Sequence, residues 1–104
     1  MRLSPWKTFF QASRPRAIFI RESDVRIPNN DAKRSFPAIR MIVSDQGHGS
    51  IVVRQYEISL EDCEYNIKTN YGKNIESIEL AKFIADLKLI ELGYDIEEPF
   101  YIGE

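Results

Sequence analysis

His48 is the only histidine of the chain, and it lies between two glycines in the segment 46–50. An imidazole can act as a general base or bind a metal ion, but catalysis by a single histidine needs a nucleophile and an orienting carboxylate close by. Ser50 and Asp45 are near in sequence, yet no motif fixes their positions. A phosphate-binding glycine loop leads into a helix, whereas this segment leads into a predicted strand. We therefore expect a hairpin tip and no catalysis, with a contact to a partner as the alternative.

Four carboxylates lie close together in the second half of the chain: Glu57, Glu61, Asp62 and Glu64. Such groups can bind Mg²⁺ or Ca²⁺, but the spacing of a calcium loop is absent. A nuclease-like carboxylate–x–Lys pattern fails because Asn66 stands where the carboxylate belongs, two residues before Lys68. Cys63, the only cysteine, has acidic neighbours that disfavour a thiolate, and it excludes an intrachain disulfide and a cysteine-based zinc site. We predict a solvated strand end, an inert thiol, and neither a metal nor a cofactor.

The charge of the chain divides between its two halves, although its 104 residues carry a formal net charge of only −2. Residues 1–54 contain ten basic and four acidic residues, a net charge of +6, and residues 55–104 contain four basic and twelve acidic ones, a net charge of −8. Three explanations stay open. The acidic part packs over the basic part and neutralises it, or a dipolar molecule pairs with itself or a charged partner, or the arginines bind nucleic acid.

The two halves also differ in the side chains that suit recognition, since all eight arginines lie in the first and all five tyrosines in the second. Arginine binds carboxylate or phosphate through a planar fork, and tyrosine supplies rigid contact area with a polar tip. The candidate protein contacts are Tyr94, Glu97, Glu98 and Tyr101. The candidate contacts to nucleic acid or to an acidic partner are Arg14, Arg16 and Arg21. A sequence pI near 5.5 argues against a dedicated nucleic-acid binder.

A short helix over residues 5–12 is predicted for the N-terminal segment. Ser4 before Pro5 has the pattern of a helix start, and Trp6, Phe9 and Phe10 have the spacing of one helical face. Extended structure is predicted over residues 16–27, 38–43, 50–60 and 64–69, with a turn at 28–31. The second and third of these segments form an antiparallel hairpin around the loop 44–49.

A long helix over residues 75–92 is the clearest element. Asn74 or Ser77 can cap its start, and Gly93 ends it in the manner of a Schellman motif. Its apolar arc is wider than a surface helix needs, which leaves open whether that arc faces the core or another chain. We expect Glu79, Lys82 and Asp86 on its solvent side. The apolar tail 94–104 is predicted to dock as an edge strand.

Together these elements predict one α+β domain over residues 1–104, a small, mostly antiparallel sheet of three to five strands with the long C-terminal helix on one face and the short N-terminal helix. No apolar run approaches a membrane span, and no secretory signal is visible, so we expect a cytoplasmic protein. We expect a non-catalytic interaction protein of the inhibitor, immunity or viral and mobile-element accessory type that binds a protein partner through charge-polarised surfaces. A nucleic-acid-binding regulator that uses the arginine-rich half is the alternative. A homo-oligomer also fits a domain this small.

Overall fold

The computed structural model describes residues 1–11, 14–28, 35–45 and 55–100. The loop with His48, Tyr101 and all but Pro28 of the expected turn at 28–31 lie outside the described residues. The elements within them are, in chain order, β1 (Arg2–Leu3), β2 (Lys7–Gln11), β3 (Arg14–Glu22), β4 (Arg26–Pro28), β5 (Ser35–Pro37), β6 (Ile39–Asp45), β7 (Tyr56–Asp62), β8 (Ile67–Ile75), α1 (Ile78–Glu91) and β9 (Asp95–Ile96).

A five-stranded antiparallel sheet forms the centre of the fold, in the order β2-β3-β6-β7-β8. On its central strands every second side chain is buried beneath α1, including Met41, Val43, Ile58 and Leu60. This alternation follows from the period of two in a strand, which places one set of side chains on one face. The predicted α+β class, the antiparallel sheet and the β6–β7 pairing are confirmed. The expected segment 16–27 is divided into β3 and β4.

Helix α1 begins and ends where local signals place it. The Ser77 hydroxyl accepts a hydrogen bond from the Leu80 backbone N–H at 3.1 Å and forms the N-cap. Gly93 has a φ of +90°, which an L-residue side chain disfavours. The N–H groups of Gly93 and Tyr94 donate to the carbonyls of Ile90 and Leu89, which is the pattern of a Schellman motif.

The short N-terminal helix predicted over residues 5–12 is wrong, because residues 7–11 form strand β2. Lys7 lies opposite Ile20 and Phe9 opposite Ile18 in an antiparallel ladder with β3. The Ser4 hydroxyl accepts from the Glu22 N–H at 3.1 Å and thus binds the sheet instead of capping a helix. A helix of eight residues is marginal by itself, whereas phenylalanine and threonine favour a strand that finds a partner. The pairing with β3 therefore prevails over the helical spacing within residues 5–12.

The two ends of the described chain are joined. β9 pairs in parallel with β1, with Arg2 opposite Asp95 and Leu3 opposite Ile96. The expected docking of the tail as a strand is thus confirmed for these two residues, although the tail joins β1 and not the edge of the main sheet. β4 and β5 form a second small antiparallel pair.

Candidate functional site

The outward face of α1 carries large apolar side chains. Leu80, Leu87 and Ile90 are 41%, 50% and 54% exposed, and Phe83 between them is half-buried. These four residues follow the spacing 3-4-3, so they form one continuous row along a helix, which we call the outer stripe. The wide apolar arc of the sequence therefore divides into a core face and a solvent face.

The opposite face of α1 carries small residues where the helix meets the sheet. Ala81, Ala85 and Leu89 have no exposed surface, and the helix packs across β6, β7 and β8. Alanines at this contact allow the helix backbone to lie close to the sheet. The sequence predicts two neighbouring apolar stripes that together make one arc and does not assign either of them to the core, and the two alanines in one stripe were the signal that could have identified the core face.

Carboxylates border the outer stripe, and they define its acidic rim: Glu76, Glu79 and Glu91, all exposed. The two lysines of the helix are directed toward aromatic rings on its flanks. The Lys82 ammonium lies 4.3 Å from the ring centroid of Phe19, and the Lys88 ammonium lies 5.0 Å from that of Tyr71. Burial lowers the pKa of Lys82, partly offset by the nearby carboxylate of Glu79.

Lys88 also reaches the rim, because its ammonium lies 3.5 Å from a carboxylate oxygen of Glu91. This pair is solvent-exposed on the Glu91 side and contributes little to stability. Glu79 has no ion pair among the described residues. The rim therefore remains acidic on balance.

The candidate protein contacts of the tail take part in internal structure. Tyr94 is half-buried, and burial raises the pKa of its phenol, with the charge of Asp62 adding to the effect. The Glu97 carboxylate lies 3.3 Å from the guanidinium of Arg2. Glu98 is exposed and has a φ of +50°, a left-handed conformation that directs backbone carbonyls inward. Tyr101, the fourth candidate, is not among the described residues.

Arg21, a candidate contact to an acidic partner, is completely buried. Its guanidinium forms a bidentate pair with Asp86, with both N–O distances at 2.9 Å. It also donates to the backbone carbonyls of Ser4, Glu97 and Glu98. Arg21 therefore does not lie at the surface and is removed from the set of contact residues.

Asp86 was expected on the solvent side of the helix, and this expectation is wrong. The carboxylate is 4% exposed and additionally accepts the N–H of Phe100 at 2.8 Å. A buried charge needs a partner and full hydrogen bonding, and Arg21 together with the tail supplies both. Asp86 thus ties the helix to β3 and to the tail.

The remaining candidate arginines, Arg14 and Arg16, lie in β3, near the end that pairs with Gln11 of β2. Only their backbone positions are described. They are therefore placed at the hairpin end of β2 and β3, away from the Arg21 side chain in the centre of the fold.

The oppositely charged halves of the sequence contact each other in the fold. Arg2 of the first half pairs with Asp95 and Glu97 of the second, and Arg21 pairs with Asp86. Arg40 and Glu61, opposite each other on β6 and β7, form a further ion pair. Although burial opposes it, the contact with Glu61 raises the pKa of Arg40. These contacts favour the explanation in which the acidic part neutralises the basic part within one molecule.

The carboxylates between Glu57 and Glu64 do not converge on one point, because members of the group bind other partners. Glu61 binds Arg40, and Asp62 accepts the N–H of Glu64 at 3.1 Å in the turn between β7 and β8. Cys63 in the same turn is a half-buried free thiol. In the part of the chain that the structure describes, no group of His, Cys, Asp and Glu has the arrangement of a metal site.

A surface cavity of about 220 Å³ lies between the N-terminal segment and residues 22–26, with Glu97 of the tail at its edge, and its walls carry charges of both signs. Lys7 and Arg26 lie 3.9 Å and 3.8 Å from the carboxylate of Glu22 at its wall. Because these charges pair with each other, the cavity offers no excess charge to a ligand. It is therefore not a candidate site.

The chain matches no family model, and neither a curated protein nor a solved structure matches it. Within residues 1–11, 14–28, 35–45 and 55–100, no helix combines the length and apolar character that crossing a membrane requires. The outer stripe and its acidic rim are the features from which a function can be argued.

Proposed function

We propose that this chain is a non-catalytic protein-binding domain and that the outer stripe of α1 is its contact surface. The observation that carries the proposal is the exposure of Leu80, Leu87 and Ile90, each about half exposed, on the face of the helix opposite the core. Contiguous apolar patches on a small protein mark interaction sites, whereas single exposed apolar residues do not.

The surroundings of the stripe support the same proposal. An apolar centre with a charged rim is the usual anatomy of a protein interface. Glu79 and Glu91 supply that rim, and the half-buried Phe83 supplies an aromatic anchor within it. Because the stripe lies on a helix held by the sheet, it is rigid before binding and loses little conformational entropy when a partner docks.

A nucleic-acid-binding function has weaker support. Each arginine whose side chain the structure describes has an internal partner: Arg2, Arg21 and Arg40 in the ion pairs above, and Arg26 with Glu22 and with the Ser35 hydroxyl at 2.9 Å. A guanidinium held in this way has less freedom to bind phosphate. A steep loss of nucleic-acid affinity with added salt would support that alternative instead.

The test compares affinity capture by matched variants of the whole chain. Leu80→Ser/Leu87→Ser removes two residues of the outer stripe, and Val25→Ser/Phe36→Ser removes two similarly exposed residues, 46% and 51%, far from α1. The proposal predicts protein partners that bind the wild type and the control but bind the stripe variant at least ten-fold more weakly. Equal capture by all three proteins, each verified as folded by circular dichroism, would refute it.

A further inference from the structure

We infer that the outer stripe binds a basic amphipathic helix of its partner, and this inference rests on the proposed function above. The first argument is geometric. Leu80, Phe83, Leu87 and Ile90 repeat with the 3-4-3 spacing of a helix–helix seam. The 14 residues of α1 extend about 21 Å, which is the length over which a partner helix of about four turns can lie. An extended strand would instead require an unpaired backbone edge, and a helix face has none.

The second argument is the charge beside the seam. On a helical projection Glu79 borders one side of the stripe and Glu91 borders the other. The two lysines of α1 reach toward Phe19 and Tyr71 on the flanks, and Lys88 also pairs with Glu91 at 3.5 Å, so Glu79 is the rim carboxylate of the helix that has no ion pair among the described residues. A partner helix laid on the stripe therefore places its own flanking residues next to carboxylates. Lysine or arginine at those positions gains attraction, whereas aspartate or glutamate is repelled.

The same charges disfavour a second copy of this chain as the occupant. Two stripes in contact would bring two acidic rims to the same interface. Like charges at an interface cost affinity and are a common device against wrong pairing. The partner is therefore a different protein, with apolar residues at helical spacing between basic ones.

Synthetic peptides test this inference directly against the full-length chain. Three labelled 18-residue helical peptides share one apolar face of leucines: one has lysines on both flanks, one has glutamates, and one has the lysine composition in scrambled order. Fluorescence anisotropy should give at least ten-fold tighter binding for the ordered lysine peptide than for the other two. Leu80→Ser/Leu87→Ser should weaken that binding at least ten-fold.

A pair of charge reversals distinguishes attraction to the acidic rim from attraction to the net negative charge of the protein. Glu79→Lys should weaken binding of the lysine peptide about five-fold, an effect of about 1 kcal/mol. Glu64→Lys makes the same change in net charge at an exposed position in the β7–β8 turn, and it should leave the affinity within two-fold.

Three outcomes would overturn the inference. Equal weakening by the two reversals would indicate attraction to total charge only. Equal affinity for the glutamate and lysine peptides would leave a protein-binding stripe without charge selectivity. Self-association of the wild type in sedimentation, lost in Leu80→Ser/Leu87→Ser, would assign the stripe to a second copy. In the last two cases the stripe is still a protein contact, so the proposed function is retained. The proposed function fails if the stripe variant captures the same partners as the wild type.

Discussion

At the scale of single residues, the centre of the fold is the buried pair of Arg21 and Asp86. The pair joins β3 to α1 over 65 residues of sequence, and the guanidinium carbon Cζ lies 4.9 Å from the centroid of the Trp6 ring. Three backbone carbonyls and the Phe100 N–H complete the hydrogen bonding of the two charges. Because a half-satisfied charge in a core is costly, the network stabilises one arrangement of helix, sheet and tail over others.

Removing one member of this pair should destabilise the protein severely. Asp86→Ala leaves the Arg21 charge buried without its carboxylate, and we expect the free energy of unfolding in urea to fall by about 3–5 kcal/mol. Arg21→Met/Asp86→Leu removes both charges and should recover most of that loss. The control Arg26→Met, at an exposed ion pair, should cost no more than about 1 kcal/mol.

If Asp86→Ala lowers the free energy of unfolding by no more than Arg26→Met does, the result contradicts a stabilising role of the buried ion pair. A double variant as unstable as the single one would indicate that the hydrogen bonds to the tail, and not the isolated charge, dominate the free energy. Circular dichroism of each variant before titration distinguishes a destabilised fold from one that has not formed.

At the scale of elements, α1 depends on its N-cap. Ser77→Ala removes the acceptor for the Leu80 N–H and should lower the free energy of unfolding by about 1 kcal/mol. Ser77→Asp retains an acceptor and adds a negative charge at the positive end of the helix, so it should equal or exceed the wild type in stability. Urea titrations of the three proteins provide the measurement, and equal stability of Ser77→Ala and the wild type would contradict this cap.

The contrast between α1 and β2 explains how much of the fold could be predicted from the sequence. The limits of α1 depend on Ser77 and Gly93, which act within one turn of the residues that they cap, so their signals are local. Strand β2 depends on its pairing with β3, in which Phe9 lies opposite Ile18, and the spacing of the aromatic residues within 5–12 does not contain that information. The aromatic spacing there fits one face of a helix as well as it fits a strand, and only the partner strand decides between them.

The candidate site was partly predictable for the same reason. The wide apolar arc of α1 was visible in the sequence, and its division into core and solvent faces depends on which side meets the sheet. The burial of Asp86 depends on Arg21 and on the tail, both far away in sequence. A charge that looks solvated on a helical wheel can therefore lie in the core.

At the scale of the whole molecule, the small net charge of the chain corresponds to contact between its oppositely charged halves. Salt should screen this attraction. Charge reversal in Arg2→Glu places a carboxylate beside Asp95 and Glu97, and we expect it to cost up to about 1 kcal/mol at low ionic strength. The cost should nearly vanish in about 1 M salt, where the screening length is about 3 Å.

Lys73 offers a matched control, because its exposed side chain has no ion pair among the described residues. Lys73→Glu makes the same change in net charge and should alter the free energy of unfolding by less than about 0.5 kcal/mol at either salt concentration. Urea titrations at both concentrations provide the comparison. A penalty for Arg2→Glu that persists in high salt would indicate lost packing of the arginine stem instead of lost attraction.

The hydrogen bonds from Arg21 to the carbonyls of the tail have a consequence for folding during synthesis. The Glu97 carbonyl, which accepts a hydrogen bond from Arg21, lies 76 residues after Arg21 in the chain. At a rate of synthesis of about 5–20 residues per second, roughly 4–15 s pass between the synthesis of Arg21 and the synthesis of this acceptor. For most of that interval the growing chain has strands and an apolar sheet face that α1 does not yet cover, because α1 follows the strands of the main sheet in the chain. A product that terminates before residue 78 would therefore lack α1, expose this face and be prone to aggregate or to be degraded.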